Sequence, residues 1–181
     1  ILMNPALLAI GQRRFRAALS DAHANDLGDR GNFNRTVFHE VGHYLGPKRT
    51  DDDRPIPEAL GNLNNHIEEL KADLLSLWLM PRLVEHGIID EEQLRSVYAS
   101  GILRVLVPIE PGRDEAYRTM QLMQQNVFLA QGLLSFDREN GRLSIDYDRY
   151  PQVIEAFLTE VLELQRRGDR AAVEAYVERL A

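Results

Sequence analysis

His39-Glu40-Val41-Gly42-His43 sets two imidazoles four residues apart, with a carboxylate directly after the first. On a helix four residues advance about 400°, so both rings leave one face a turn apart and can reach a single metal ion. Glu40 sits beside them, placed to take a proton from a water that the metal activates. The chain has no cysteine, so a metal here must be held by His, Asp and Glu, a donor set that suits Zn2+ at one ion per chain. A catalytic zinc takes three protein ligands and keeps a position open. His43 is followed by Tyr44-Leu45-Gly46-Pro47-Lys48-Arg49, and Arg49 cannot ligate a cation, so the third ligand must lie elsewhere. In the stretch HIEELKADLL, Glu69 and Asp73 share one helix face at i, i+4 spacing. Glu69 is the third ligand on this reading, and Asp73, a turn further on, accepts the outer N–H of a ligating imidazole. Glu68 and His66 compete for the ligand role, and the reading without chemistry is a solvated acidic stripe paired with Lys71.

The pattern around these groups is nearly all helical. Apolar spacing predicts helices over Pro5–Ser20 and Arg35–Leu45, the second capped by Asn34 and stopped by Gly46-Pro47. Between them Asp21–Asn34 is polar and reads as a loop, as does Lys48–Pro57. A long pattern from Leu63 to His86 is expected to break near Leu79 because of Pro81. Asp90 with Gln93 forms a capping box opening a helix to Val107, Pro108–Gly112 is a turn, and Arg113–Gln131 is helical. The period then shortens across LLSFDRENGRLSIDY, predicting a hairpin near 133–147 about Asn140-Gly141. Helices over Pro151–Arg167 and Asp169–Leu180, parted by Gly168, complete a mainly α fold with one small β-hairpin. Trp78, Met80, Phe128 and Phe157 fall at core spacing among leucines.

At 181 residues there is room for one domain, 1–181, and 44% hydrophobic with 27% charged residues describes a soluble globular chain. A net charge of −7 argues against nucleic acid as a partner, and no apolar run is long enough for a membrane helix. Absence of cysteine fits the cytoplasm. The chain opens on Ile1 rather than Met, as a processed product or a piece of a longer protein would.

Three segments, HEVGHYLGP, EELKADLLSLW and GLLSFDRENGRLSIDYDRYPQVIEAFLTEVLELQRRGD, resemble the dipeptidyl peptidase III family of zinc peptidases, in particular its bacterial and Nudix-associated branch. The resemblance runs from about Asn32 to the C-terminus and implies a zincin-like helical catalytic lobe of gluzincin type. It implies zinc ligation by His39, His43 and Glu69, general-base work by Glu40, and support of a ligand His by Asp73. The shorter spacing inside HEVGH is that of the bacterial branch. Two departures accompany it. Family members carry a later His that stabilises the oxyanion, and in Asp114-Glu115-Ala116-Tyr117-Arg118 that place is taken by Tyr117, whose phenol could donate instead. Family members are also much longer, with another lobe walling the peptide cleft, so exo- against endopeptidase mode stays open.

The leading expectation is therefore zinc-dependent peptide-bond hydrolysis. One alternative is a metal-binding but inactive relative acting as an interaction or structural module. Another is a regulatory zinc peptidase cleaving a repressor-like partner, suggested by Leu79-Met80-Pro81 after the acidic helix. Arg104 and Arg113 could anchor a peptide carboxylate, with a surface position the default for both. His23 and His86 read as surface or cap residues without acidic partners, and Asp51-Asp52-Asp53 as a solvated loop.

Overall fold

A computed structural model describes residues 4–106 and 115–181. The turn expected at 108–112, Arg113 and Asp114 lie outside the described residues. Nine α-helices and one hairpin follow in order among those described: α1 Pro5–Ala18, α2 Gly31–Gly42, α3 Ile56–Leu60, α4 Asn64–Trp78, α5 Met80–Glu85, α6 Glu91–Val105, α7 Ala116–Ala130, β1 Leu134–Asp137, β2 Arg142–Ile145, α8 Tyr150–Arg167 and α9 Arg170–Leu180. None of the described helices is long and apolar enough to cross a membrane.

The helix α4 lies at the centre, against α2, α6, α7 and α8. Every residue from His66 to Leu77 apart from Glu68 and Glu69 is buried, so α4 is covered almost all round. Its apolar residues Ile67, Leu70, Leu74 and Leu77 join Met80, Phe128, Tyr150 and Phe157 in one contiguous core. Such burial removes water from Lys71, Asp73 and Ser76 as well, and their polar atoms must find partners inside the protein. Trp78 is only half-buried at the core's edge, with the Arg82 guanidinium 4.8 Å over its ring.

Gly42 brings α2 against α4. A side-chain carbon there would stand 2.8 Å from the Ala72 carbonyl oxygen and 2.9 Å from its Cα, inside contact distance, so only glycine admits this approach. The helix differs from expectation at both ends: it begins at Gly31 with Arg30 at the cap position and no capping side chain, and closes at Gly42, with 43–45 in turns. Its first residue, Gly31, packs against Ser96 of α6, and just before the helix Gly28 N donates to Ser96 Oγ at 2.9 Å.

The long pattern breaks at Leu79, which ends α4, and Pro81 occupies the first turn of α5, where its missing N–H is harmless. Asp90 and Gln93 form the capping box of α6. The hairpin pairs Leu134 with Ile145 and Asp137 with Arg142, leaving a four-residue loop 138–141 rather than a two-residue turn. The Asp137 carboxylate accepts from Glu139 N and Asn140 N and shapes that loop. Gly168 takes φ +61° between α8 and α9, a left-handed conformation that stops one helix before the Asp169 cap starts the next. The segment expected as a loop through Pro57 already turns into α3 at Ile56, while Asp51, Asp52 and Asp53 are exposed and paired with nearby arginines. His86 caps α5 as expected, whereas His23 does have an acidic partner: its Nδ1 is 3.1 Å from Asp26 Oδ2.

Candidate metal centre and cleft

His39 and His43 project from α2 toward α4, their rings edge to face with centroids 4.9 Å apart. Their Nε2 atoms point at one oxygen: Glu69 Oε2 is 3.2 Å from His39 Nε2 and 3.8 Å from His43 Nε2. One ligand atom from each of these three residues lies within 4.8 Å of the others, and they are the only such metal-capable group of His, Asp and Glu among the described residues. His66, a competitor from the sequence, is outside that group.

The outer nitrogens meet two further carboxylates. His39 Nδ1 is 3.3 Å from Asp73 Oδ1, within ion-pair reach although off the line of a well-aligned hydrogen bond. His43 Nδ1 is 3.2 Å from Glu68 Oε1. When both rings are neutral with each Nδ1 proton toward its carboxylate, both Nε2 lone pairs face Glu69. Glu68, which the sequence left as a rival ligand, thus backs the second ring.

Both backing carboxylates are tied into the protein. Asp73 has no exposed surface; its Oδ1 takes a short hydrogen bond from Arg35 Nη1 and its Oδ2 accepts from Gln124 Nε2 at 2.9 Å. Arg35 also donates through Nε to Ser100 Oγ at 3.3 Å. Glu68 accepts from Lys71 Nζ at 2.7 Å and Gln165 Nε2 at 2.9 Å, and Lys71 donates a further bond to the Leu45 carbonyl at 2.7 Å. Lys71 is therefore part of the support, and the solvated acidic stripe does not exist. Arg35 could have been suspected from its place one turn before His39; Gln124 and Gln165 come from distant helices and carry no local signal.

Electrostatics follow the contacts. Burial, the largest influence on Asp73, opposes its ionisation, yet the Arg35 charge, the close His39 ring and the Arg104 charge together hold it well below the usual carboxylate range. Burial also disfavours charge on His39, but Asp73 and Glu69 outweigh it and push that ring up to about 9. Glu69 is lowered despite burial by the same pairing, and Lys71 is lowered by burial against the pull of Glu68.

A cleft of about 350 Å³ opens beside the centre. Glu40, exposed on α2, and Tyr117, at the start of α7, line it with His39 and Arg104. Burial raises the Tyr117 phenol, and the charge and hydrogen bonding of Glu69 raise it further. Arg104 departs from the expected surface role: its side chain is three-quarters covered, its Nε is 3.7 Å from Asp73 Oδ1, and its guanidinium lies 5.5 Å from the Tyr117 ring centroid.

No protein-family model matches the sequence. Nudix hydrolase 3 of Arabidopsis thaliana is 27% identical over 144 residues, which make up 77% of this chain and 18% of that protein. Among solved structures, dipeptidyl peptidase III from Caldithrix abyssi superposes with a TM-score of 0.87 at 23% identity, covering 94% of this chain and 33% of its own. Dipeptidyl-peptidase III from Corallococcus sp. strain EGB gives 0.86 at 28% identity, covering 94% of this chain and 32% of its own. The fold is accordingly that of a dipeptidyl-peptidase-III-like helical lobe. The chain spans about a third of those two proteins and under a fifth of the plant protein.

Proposed function

We infer that the chain carries the catalytic centre of a zinc peptidase of the dipeptidyl peptidase III kind, from its bacterial, Nudix-associated branch, and that it hydrolyses peptide bonds. The observation that carries this reading is the meeting of two imidazole Nε2 atoms and Glu69 Oε2, each ring backed by its own carboxylate. Glu69 Oε2 is buried and has no aligned hydrogen bond among the described residues, so its charge is met either by a proton on His39 or by a cation shared with both neutral rings. Nitrogen and oxygen donors in this number suit Zn2+ with a position left open.

Zinc held by His39, His43 and Glu69 supplies Lewis-acid polarisation of a water molecule and of a carbonyl oxygen. The protein's own groups do the rest. Asp73 and Glu68 hold the two imidazoles in the tautomer that leaves Nε2 bare. Glu40, exposed to the cleft, takes the proton of the attacking water and passes it to the leaving amine, which departs neutral. Tyr117 keeps its proton at neutral pH and donates to the oxygen on which negative charge develops.

The test is Glu40→Gln. This variant should bind zinc like the parent and hydrolyse short peptides roughly 10²- to 10⁴-fold more slowly, the usual scale of general-base assistance. Zinc binding by a parent that turns over no peptide would select the inactive metal-binding module, and cleavage of a single site in a protein partner only would select the regulatory peptidase.

A further inference from the structure

Resting on the peptidase reading, we propose that Arg104 binds a carboxylate of the peptide substrate and so gives the cleft a preference for anionic peptides. Two arginines stand beside Asp73, and they differ in how far they are committed. Arg35 is buried, donates to Asp73 Oδ1 through Nη1 and to Ser100 Oγ through Nε, and so serves the interior. The two Asp73 oxygens are then occupied, one by Arg35 and the other by Gln124. Arg104, in the last turn of α6, reaches the same carboxylate only at 3.7 Å, and its buried Nε makes no hydrogen bond. Its side chain is 24% exposed and lines the cleft with His39, Glu40 and Tyr117.

Charge points the same way. With a divalent ion bound and His39 neutral, Arg35, Arg104 and the ion exceed Asp73, Glu40 and Glu69 by one positive charge, while Glu68 and Lys71 cancel. Asp73 neutralises Arg35, Glu69 is spent on the metal, and Arg104 has no carboxylate nearer than the shared Asp73 at 3.7 Å among the described residues. A guanidinium presents parallel N–H donors that match a carboxylate in two-point fashion, and a partly desolvated one binds it more strongly than a surface lysine would. The Tyr117 ring, 5.5 Å from the guanidinium, lines the same cleft. A carboxylate there can come from the C-terminus of a short peptide or from an acidic side chain of a longer one.

Binding to the zinc-loaded Glu40→Gln protein, measured by titration calorimetry, tests the proposal without relying on turnover. Three matched neutral-bodied peptides serve as probes: a C-terminal amide, the free acid, and an amide with one Glu. At least one carboxylate peptide should bind about tenfold tighter than the neutral amide, the scale of a charge-assisted hydrogen-bonded pair. The free acid winning identifies the terminal carboxylate, and the Glu-bearing amide winning identifies an acidic side chain. Arg104→Gln should bring the peptides to within about twofold of one another at unchanged zinc content, and Arg104→Lys should fall between. Added salt should narrow the gap in the parent, a readout that needs no variant. Equal binding of all three peptides, no binding of any, or a gap that survives Arg104→Gln overturns the proposal, the last assigning the carboxylate to the metal. Turnover without a carboxylate preference would leave the peptidase reading standing and remove this one; a preference without turnover would do the reverse.

Discussion

Neighbouring carboxylates on a helix leave it about 100° apart, so Glu68 and Glu69 cannot serve the same atom. Glu69 faces both Nε2 atoms, and Glu68 turns to the outer nitrogen of His43 and to Lys71. Substituting Glu69→Ala should therefore lower zinc affinity far more than His66→Ala, by about tenfold or more, read by competition with a chromophoric chelator. Equal loss in both would take Glu69 out of the site. His39 carries the pH dependence. In the metal-free protein its pKa is raised from the ordinary 6.5 to about 9, so the stability it contributes is fully present below pH 6.5 and is lost as pH rises through about 9. Zinc must displace that proton, so its apparent affinity should rise about tenfold per pH unit across the same window. A pH-independent affinity between those limits would show that His39 is already neutral. The HEVGH spacing made both imidazoles legible from the sequence, because i, i+4 geometry is local. The acceptor of each Nδ1 is a tertiary matter: Asp73 was reachable as the end of a motif, but Glu68 acquires its role only from where α2 lands on α4.

Among the elements, the pairing of α2 with α4 decides whether there is a site at all, since the imidazoles come from one helix and Glu69 from the other. Gly42 controls that distance. In Gly42→Ala the new methyl meets Ala72 backbone at less than contact distance, and backbone cannot rotate away as a side chain can. The variant should lose about 1–3 kcal/mol of stability in urea unfolding, together with a measurable part of its zinc affinity. If affinity holds while stability falls, the helices shift without opening the ligand set. Local signals located most elements: the Asp90–Gln93 box, the Leu79 break before Pro81 and Gly168 between the last two helices all act through their own neighbours. Where expectation failed, a distant partner had replaced a local one. The first turn of α2 lacks a capping side chain and rests on α6; the hairpin loop is the exception, its length set locally by Asp137.

For the whole molecule, the candidate centre joins more elements than its three ligands suggest. Through Asp73 and Glu68 it reaches Arg35 on α2, Gln124 on α7 and Gln165 on α8, with Arg104 of α6 alongside. A ligand that binds only the folded state stabilises it by mass action, about 2.7 kcal/mol at a hundredfold excess over Kd. Zinc should accordingly raise the thermal midpoint by about 5–10 °C for a chain of this size, and a chelator should reverse the gain. No shift at saturating zinc would contradict a centre spread across the fold. By itself the sequence determined the helical class, most helix ends, the two imidazoles with their neighbouring carboxylate and the two acidic residues on the next helix, because each rests on periodicity or spacing within a few turns. Only the tertiary structure decided that Arg104 leaves the surface, that Lys71 is buried, that Glu68 backs a ring and that glutamines from α7 and α8 complete the polar shell. Those assignments depend on which side chains meet when α4 is enclosed on nearly every side and its polar groups must be satisfied without water.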